Sequence, residues 1–471
     1  MQRVVAVAAC TLLWLIASVQ RAGASDLQAA VAVAEITPPL GYRMSGYFFE
    51  RLNTGTHDPL QAKAVVFRQG ERQAALVFCD LIGISPAVSK RARQLASEKT
   101  GMPFENVLIA ATHSHTGPLY FGTLHKHFHE QTVARTGKDP HESLDYSDML
   151  VKKLVEVIAA AHQAAQPVDL KAGVATPTGL AFNRRYHMKN GTVQFNPGKL
   201  NPEIIRPAGP IDPEAGLLLL RDRRTERDLA LLTVFALHLD TVGGSEYSAD
   251  YPFYLEQDLK KTLGRKFVSI FGLGTCGDIN HIDVTHDRAQ KGHEEAARIG
   301  AALAQSVGEV LARTKPIAAP ALAMRSTIVN VPLQRYGPEE VAEAQRDLAK
   351  IGGRELSFLD QVKTCKIVSL QHRSGDTLPM EVQVLRLSDE IALVGLPGEV
   401  FVDLGLAIKR ASPFAQTMVI ELANDAPAYI PTKKAFAEGS YETVNSLIEP
   451  GGGELLVAAA VELLKEMKPG K

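Results

Sequence analysis

The chain has 471 residues, 45% hydrophobic and 22% charged, a globular composition with enough apolar mass to bury a large core. Lysine and arginine number 51 against 52 aspartates and glutamates, leaving a net charge of −1. With no basic excess and no acidic run, binding to nucleic acid or another polyanion is set aside as a class of function.

At the N-terminus, Arg3 precedes an apolar stretch over 4–19, and Ala22-Gly23-Ala24 forms a small-x-small cleavage site. Residues 1–24 are therefore expected to be a signal peptide, removed on export to the periplasm or beyond. Val7-Ala8-Ala9-Cys10 superficially resembles a lipobox, but the apolar run continues past the cysteine, which favours cleavage after Ala24. Residues 25–471 keep Cys79, Cys276 and Cys365, too few and too scattered for a disulfide framework. One pair plus a thiol, or three buried thiols, are both open. No Cys-x-x-Cys exists, so zinc–thiolate chemistry is not expected, and no second apolar run reaches transmembrane length.

Periodicity predicts strands over 31–36, 62–67 and 74–79, then helices over 86–99 and 147–165. A buried strand over 229–238, a helix over 250–263 and a strand over 266–273 follow. Amphipathic helices over 294–312 and 338–351, a hairpin over 382–387 and 391–396, and helices over 400–411 and 455–465 complete the pattern. The fold class is α/β, with mixed β-sheets layered with helices and 25–471 forming a single domain. The polar stretch 123–145, with His125, His127, His129 and His141, reads as a long surface loop whose histidines face solvent.

Thr112-His113-Ser114-His115-Thr116-Gly117-Pro118 is the densest chemical signal. It follows the apolar run 106–111, and alternation on a strand would project His113 and His115 to one side before Gly117-Pro118 forces a turn. Neutral imidazoles suit zinc, although two hydrogen-bonded histidines closing a strand would look the same. His238 repeats the layout, at the end of the apolar run 231–237 and just before Asp240 and Gly243-Gly244. Glu399 follows Pro397-Gly398 at a strand end, aimed at a shared cleft or merely placed at a helix N-terminus. Tyr429, in the loop 424–431, would ordinarily be read as packing. The loop 272–283 is Gly-rich but lacks the lysine of a phosphate-binding loop. Its Asp278, Asn280, His281 and Asp283 could line a polar cleft or hold a second, harder divalent cation.

Together these pieces resemble the catalytic domain of neutral/alkaline ceramidases over nearly the whole mature length. The resemblance begins with Val31-Ala32-Val33-Ala34-Glu35-Ile36-Thr37-Pro38-Pro39, Ser45-Gly46-Tyr47 and His57-Asp58-Pro59-Leu60. It runs through Asp80-Leu81-Ile82, the His113 stretch, Asn183-Arg184-Arg185, the His238 strand and Gly277-Asp278. Leu396-Pro397-Gly398-Glu399, Asn424-Asp425, Tyr429 and Tyr441 complete it. It implies one zinc held by His113, His238, Glu399 and Tyr429, and so promotes a tyrosine that local reading dismisses. By the same resemblance His115 is a catalytic histidine that does not bind the metal. Arg184 and Tyr441 are catalytic-site residues that meet substrate, and Asp278 and Asn280 stand at substrate-binding positions.

The sequence departs from the family pattern in two places. Asn280 stands where the family has a substrate-contacting serine, and the family's C-terminal immunoglobulin-like domain is not in this chain. An amide is no nucleophile, so the expected reaction is attack by zinc-activated water on the amide of ceramide or a related N-acyl amphiphile. Such a substrate brings with it an expectation of peripheral membrane contact. An N-acyl amino sugar deacylase, an esterase or phosphoesterase, and a ligand-binding pseudoenzyme are the alternatives.

Overall fold

The computed structural model describes residues 26–469. The expected signal peptide over 1–24 lies outside the described residues. The main sheet is built from β1 (Gln28–Glu35), β2 (Gln61–Gln69), β3 (Arg72–Cys79) and β4 (Val107–Ala111). Its other strands are β5 (Gln166–Ala175), β6 (Ala215–Asp222), β7 (Asp228–Phe235) and β8 (Val268–Leu273). They lie in the order β8-β7-β6-β5-β1-β2-β3-β4, with a short strand Lys315–Pro316 added on β5. A second sheet follows the order β9 (Pro320–Pro332), β10 (Thr377–Ser388), β11 (Ile391–Gly395), β12 (Gln416–Ile420).

Strands with apolar residues on both faces must be covered twice, and the packing is therefore four layers deep. In β3, Ala75, Val77 and Cys79 face a helical layer, while Ala74, Leu76 and Phe78 face the second sheet. The helical layer consists of α1 (Pro86–Thr100), α3 (Tyr146–Gln163), α4 (Tyr251–Leu263) and α5 (His293–Leu311). Before α3 comes α2 (Gly122–Thr136); after α5 come α6 (Pro338–Asp347) and α7 (Phe358–Gln371). The far face of the second sheet is closed by α8 (Val402–Ala411) and α9 (Gly452–Met467). Local chemistry marks the helix ends: Ser85 caps α1 through Val88 N–H, Pro86 occupies its first turn, and Gly101 ends it at φ 74°.

Most pairing is antiparallel, but β3–β4, β7–β8 and β11–β12 are parallel. Each is a strand–helix–strand crossover, through α1, α4 and α8 respectively. In such units the carboxyl ends of the strands open onto the crevice where ligands sit. His113 follows β4, His238 follows β7, Glu399 follows β11 and Tyr429 follows β12, so the topology delivers all four to one place. The sheets meet beside it: Ala110 of β4 bridges Ala423, and Asn424 N–H bonds to Ile109 O at 2.7 Å.

The strands and helices expected from periodicity are present, with ends shifted by a few residues. The stretch 123–145 is a correction. It is not a loop but α2 followed by a short turn, Pro140–Glu142, and His127 is buried. Cys79, Cys276 and Cys365 are all free, buried thiols, so the open choice about pairing closes on three thiols. Among the described residues no helix is long and apolar enough to cross a membrane. Leu232 of β7 sits 1% exposed between the sheets, whereas Leu455 is 45% exposed. Leu232→Ala should lose about 2–5 kcal/mol of stability and Leu455→Ala less than about 0.5, as read by denaturant unfolding.

Candidate metal centre

Strand β4 ends at Ala111, and the chain then leaves the sheet. His113 sits at φ 72°, the left-handed region that a β-carbon disfavours, with its N–H bonded to Leu81 O at 2.9 Å. The two histidines therefore meet through a turn, not by alternation along an extended strand as the spacing suggests. Ser114 and Thr116 hydroxyls both donate to Ser248 O, at 2.6 and 2.9 Å, and lock that turn.

His113 Nδ1 lies 2.7 Å from Ile82 O and His238 Nδ1 lies 3.4 Å from Cys276 O. A ring nitrogen facing a carbonyl must donate, so each neutral ring carries its lone pair on Nε2. Those two Nε2 atoms are 3.0 Å apart, and His115 Nε2 is 3.3 Å from that of His113. Glu399 Oε2 lies 3.3 Å from His113 Nε2 and 3.8 Å from His238 Nε2, is buried, and has no hydrogen-bond partner. Lone pairs and an orphaned carboxylate oxygen converge with no hydrogen among them, which is the arrangement a cation resolves. The ring nitrogens of His113, His115 and His238 by themselves fall close enough together to hold one ion.

Tyr429 and Glu399 lie on adjacent short parallel strands, Tyr429–Ile430 and Glu399–Val400, which set the phenol against the carboxylate. Arg184, 2% exposed, donates to the Tyr429 hydroxyl at 3.0 Å and Gly277 O at 2.8 Å, while its Nε bonds Glu442 at 3.0 Å. Arg185 takes the other oxygen of Glu442 at 3.0 Å. Tyr441 stacks edge-on against Tyr429 with ring centres 5.4 Å apart. Burial opposes ionisation of Glu399, but the neighbouring His113 and the Tyr429 phenol hold its carboxyl below the usual range. Burial and the neighbouring His113 push His115 down to about 3, so its ring is neutral at physiological pH. Burial raises the Tyr429 phenol well above its ordinary value despite Arg184.

A cleft of about 440 Å³ opens over this cluster. His115, His238, Arg184, Tyr429 and Tyr441 line it, and its outer walls are Tyr47, Phe48, Phe49, Phe195 and Phe358. Asp278 and Asn280 are not among the residues lining it. Asp278 accepts from Val402 N–H and the Asn183 amide, both at 2.9 Å, and anchors the start of α8. Asn280, fully buried, donates to Asn196 and accepts from Ile282 N–H, each at 3.0 Å. Their place is in the scaffold under the cleft. The second cation that Asp278, Asn280, His281 and Asp283 could have held finds no convergent donors among the described residues: His281 bonds Asp240 and Gln290 O, and Asp283 turns back on Thr285.

Sequence reading missed four contributors. Asp240 lines the cleft, two residues beyond His238, and that nearness was the available signal. Glu442 gave none, since its function is visible only once Arg184 and Arg185 are seen against it. Glu421, also fully buried, accepts from Val400 N–H at 2.7 Å and Cys276 N–H at 3.2 Å, tying the Glu399 strand to the loop under His238. Gly277 is the fourth: a β-carbon there would stand 2.5 Å from the Glu399 carbonyl oxygen.

The family model for neutral/alkaline non-lysosomal ceramidase, N-terminal, matches residues 28–280, more than half of the chain. The chain belongs to this family. The ceramidase family makes it a ceramidase-like hydrolase. The fold agrees with two solved structures. Neutral ceramidase from Pseudomonas aeruginosa superposes with a TM-score of 0.71 at 20% identity, covering 95% of this chain and 76% of that one. A ceramidase complexed with C2 gives 0.69 at 19% identity, with the same coverage. No curated protein matches the chain.

Gly277→Ala adds one methyl group and touches no donor atom, yet it must displace the Glu399 backbone and with it the carboxylate's position. Metal affinity, measured by competition with a chromophoric chelator, should fall about 10–100-fold, as when a group that only orients a ligand is lost.

Proposed function

We propose that this chain is an exported, zinc-dependent amidohydrolase that cleaves the N-acyl amide bond of ceramide or a related N-acyl amphiphile. The observation that carries the reading is one aromatic-walled cleft lined by His115 and His238, with the unpartnered carboxylate oxygen of Glu399 beside His238. His113, His238, Glu399 and Tyr429 would hold the ion, a nitrogen and oxygen set that suits zinc. When bound, zinc polarises a carbonyl as a Lewis acid and lowers the pKa of water to about 7.

The protein's own groups do the rest. His115, neutral and lining the cleft beside His113, takes and returns the proton that amide cleavage requires. Arg184 and Tyr441 present donors to the cleft and orient the substrate carbonyl or stabilise the charge that develops on it. Asn280 forms no acyl-enzyme, because a carboxamide is not a nucleophile, so water attacks. Asp278 and Asn280 act through position, holding α8 and the loop beneath the cleft. Tyr47, Phe48, Phe49 and Phe358 offer an apolar bed for an acyl or sphingoid chain, and the exposed aromatics Tyr47 and Phe49 suit contact with a lipid surface.

His113→Ala should remove zinc and activity together, measured by metal analysis and by mass-spectrometric assay of ceramide hydrolysis. Retained activity without metal would end the zinc reading. His115→Ala should keep most of the zinc and lower turnover about 10²–10⁴-fold; equal zinc loss in both variants would instead make His115 a ligand. Ceramide should outcompete an N-acyl amino sugar as substrate of the zinc-loaded protein, and the reverse order would replace ceramide with the sugar.

A further inference from the structure

The segment 123–145, which follows the His113–Pro118 turn, assembles a second donor cluster of its own. His125 and His129 are four residues apart on α2 and so share one helix face. The turn after the helix returns Asp139 and Glu142 to that face. His129 Nδ1 lies 2.9 Å from Asp139 Oδ2 and 3.0 Å from Glu142 Oε2, and His125 Nε2 lies 2.9 Å from Glu142 Oε1. Three donor atoms, from His129, Asp139 and Glu142, fall close enough together to bind one ion.

Charge argues the same way. Arg43, fully buried, pairs with Asp139, Glu142 and Glu50. Three carboxylates around one guanidinium leave two negative charges when the imidazoles are neutral, and Asp139 is only 3% exposed. One imidazole N–H at His129 faces two carboxylate oxygens and can fully satisfy one. A dication at that point supplies the missing charge and takes a lone pair from each group. Donor separations of 2.9–3.0 Å match neighbouring ligands on an ion about 2.0–2.2 Å from each. The donor set, imidazole with carboxylate, favours a borderline ion such as zinc, cobalt or nickel over calcium or magnesium. Arg43 then becomes the outer partner that orients both carboxylates. His129, 40% exposed, gives the ion a way in from solvent.

The geometry points to a second, structural divalent-metal site formed by His129, Asp139 and Glu142, with His125 holding the other oxygen of Glu142. Its mechanical target is the cleft rim. Arg43 and Glu50 bracket the segment that carries Tyr47, Phe48 and Phe49, so an ion fixing the two carboxylates fixes Arg43 and, through it, the aromatic wall.

The test is metal stoichiometry. Stripped wild-type protein dialysed against buffered Co²⁺ at pH 7.5 should bind two equivalents by elemental analysis, and the H125Q/H129Q protein one. H113A protein, which keeps the α2 histidines, should retain one equivalent, whose X-ray absorption should show imidazole and carboxylate ligands, and its Tm should rise with Co²⁺ concentration. Equal stoichiometry in wild-type and H125Q/H129Q proteins overturns the inference whatever happens at His113. So does an H113A protein that binds no cobalt, in which case protonated histidines supply the charge; this arm stands even if H125Q/H129Q protein fails to fold.

Discussion

Two imidazole lone pairs and a carboxylate oxygen held together without a hydrogen to share are the constraint around which this fold is arranged. Left alone, His113 Nε2, His238 Nε2 and Glu399 Oε2 would turn away from one another or find water. They cannot, because each is tied from behind. Ile82 and Cys276 carbonyls fix the ring orientations, and Glu421 binds the Glu399 strand to the Cys276 loop. Gly277 lets those segments approach to a distance no other residue permits. The scaffold carries the cost of a site that is unfavourable until an ion fills it.

The same logic extends outward through Arg184. Its guanidinium is buried, as is Glu442, and the pair is acceptable in the interior because nearly every polar atom has a partner: Tyr429, Gly277 O and Glu442 for Arg184, and both arginines for Glu442. A positive charge is thereby delivered to the phenol oxygen of Tyr429 with no freedom to wander. Aromatic groups, Tyr47, Phe48, Phe49, Phe195 and Phe358, then build the wall of the cleft.

Much of this was legible in sequence because it depends on local pattern. Apolar runs of five to eight residues ending near His or Pro-Gly marked strands with functional ends, and helical periodicity marked the helices. What could not be read depends on distant partners. Nothing around Glu442 or Glu421 distinguishes them from surface carboxylates, and Tyr429 entered only through family likeness. Asn280 and Asp278, placed near substrate by the same likeness, spend their hydrogen bonds on the framework. The stretch 123–145 was misread because α2 has polar residues all round, which periodicity reports as loop; the helix is held by Phe128 packing and by the Arg43 network instead.

The four residues proposed to hold the ion, at positions 113, 238, 399 and 429, are spread over more than 300 residues of chain. Residues 28–280, which the family model matches, contain only the two histidines. A growing polypeptide therefore passes through a long stage in which the first sheet can form while the carboxylate and the phenol have yet to emerge. If the proposed ion is bound, its capture is the last act of assembly, and a loaded centre certifies that both sheets have docked.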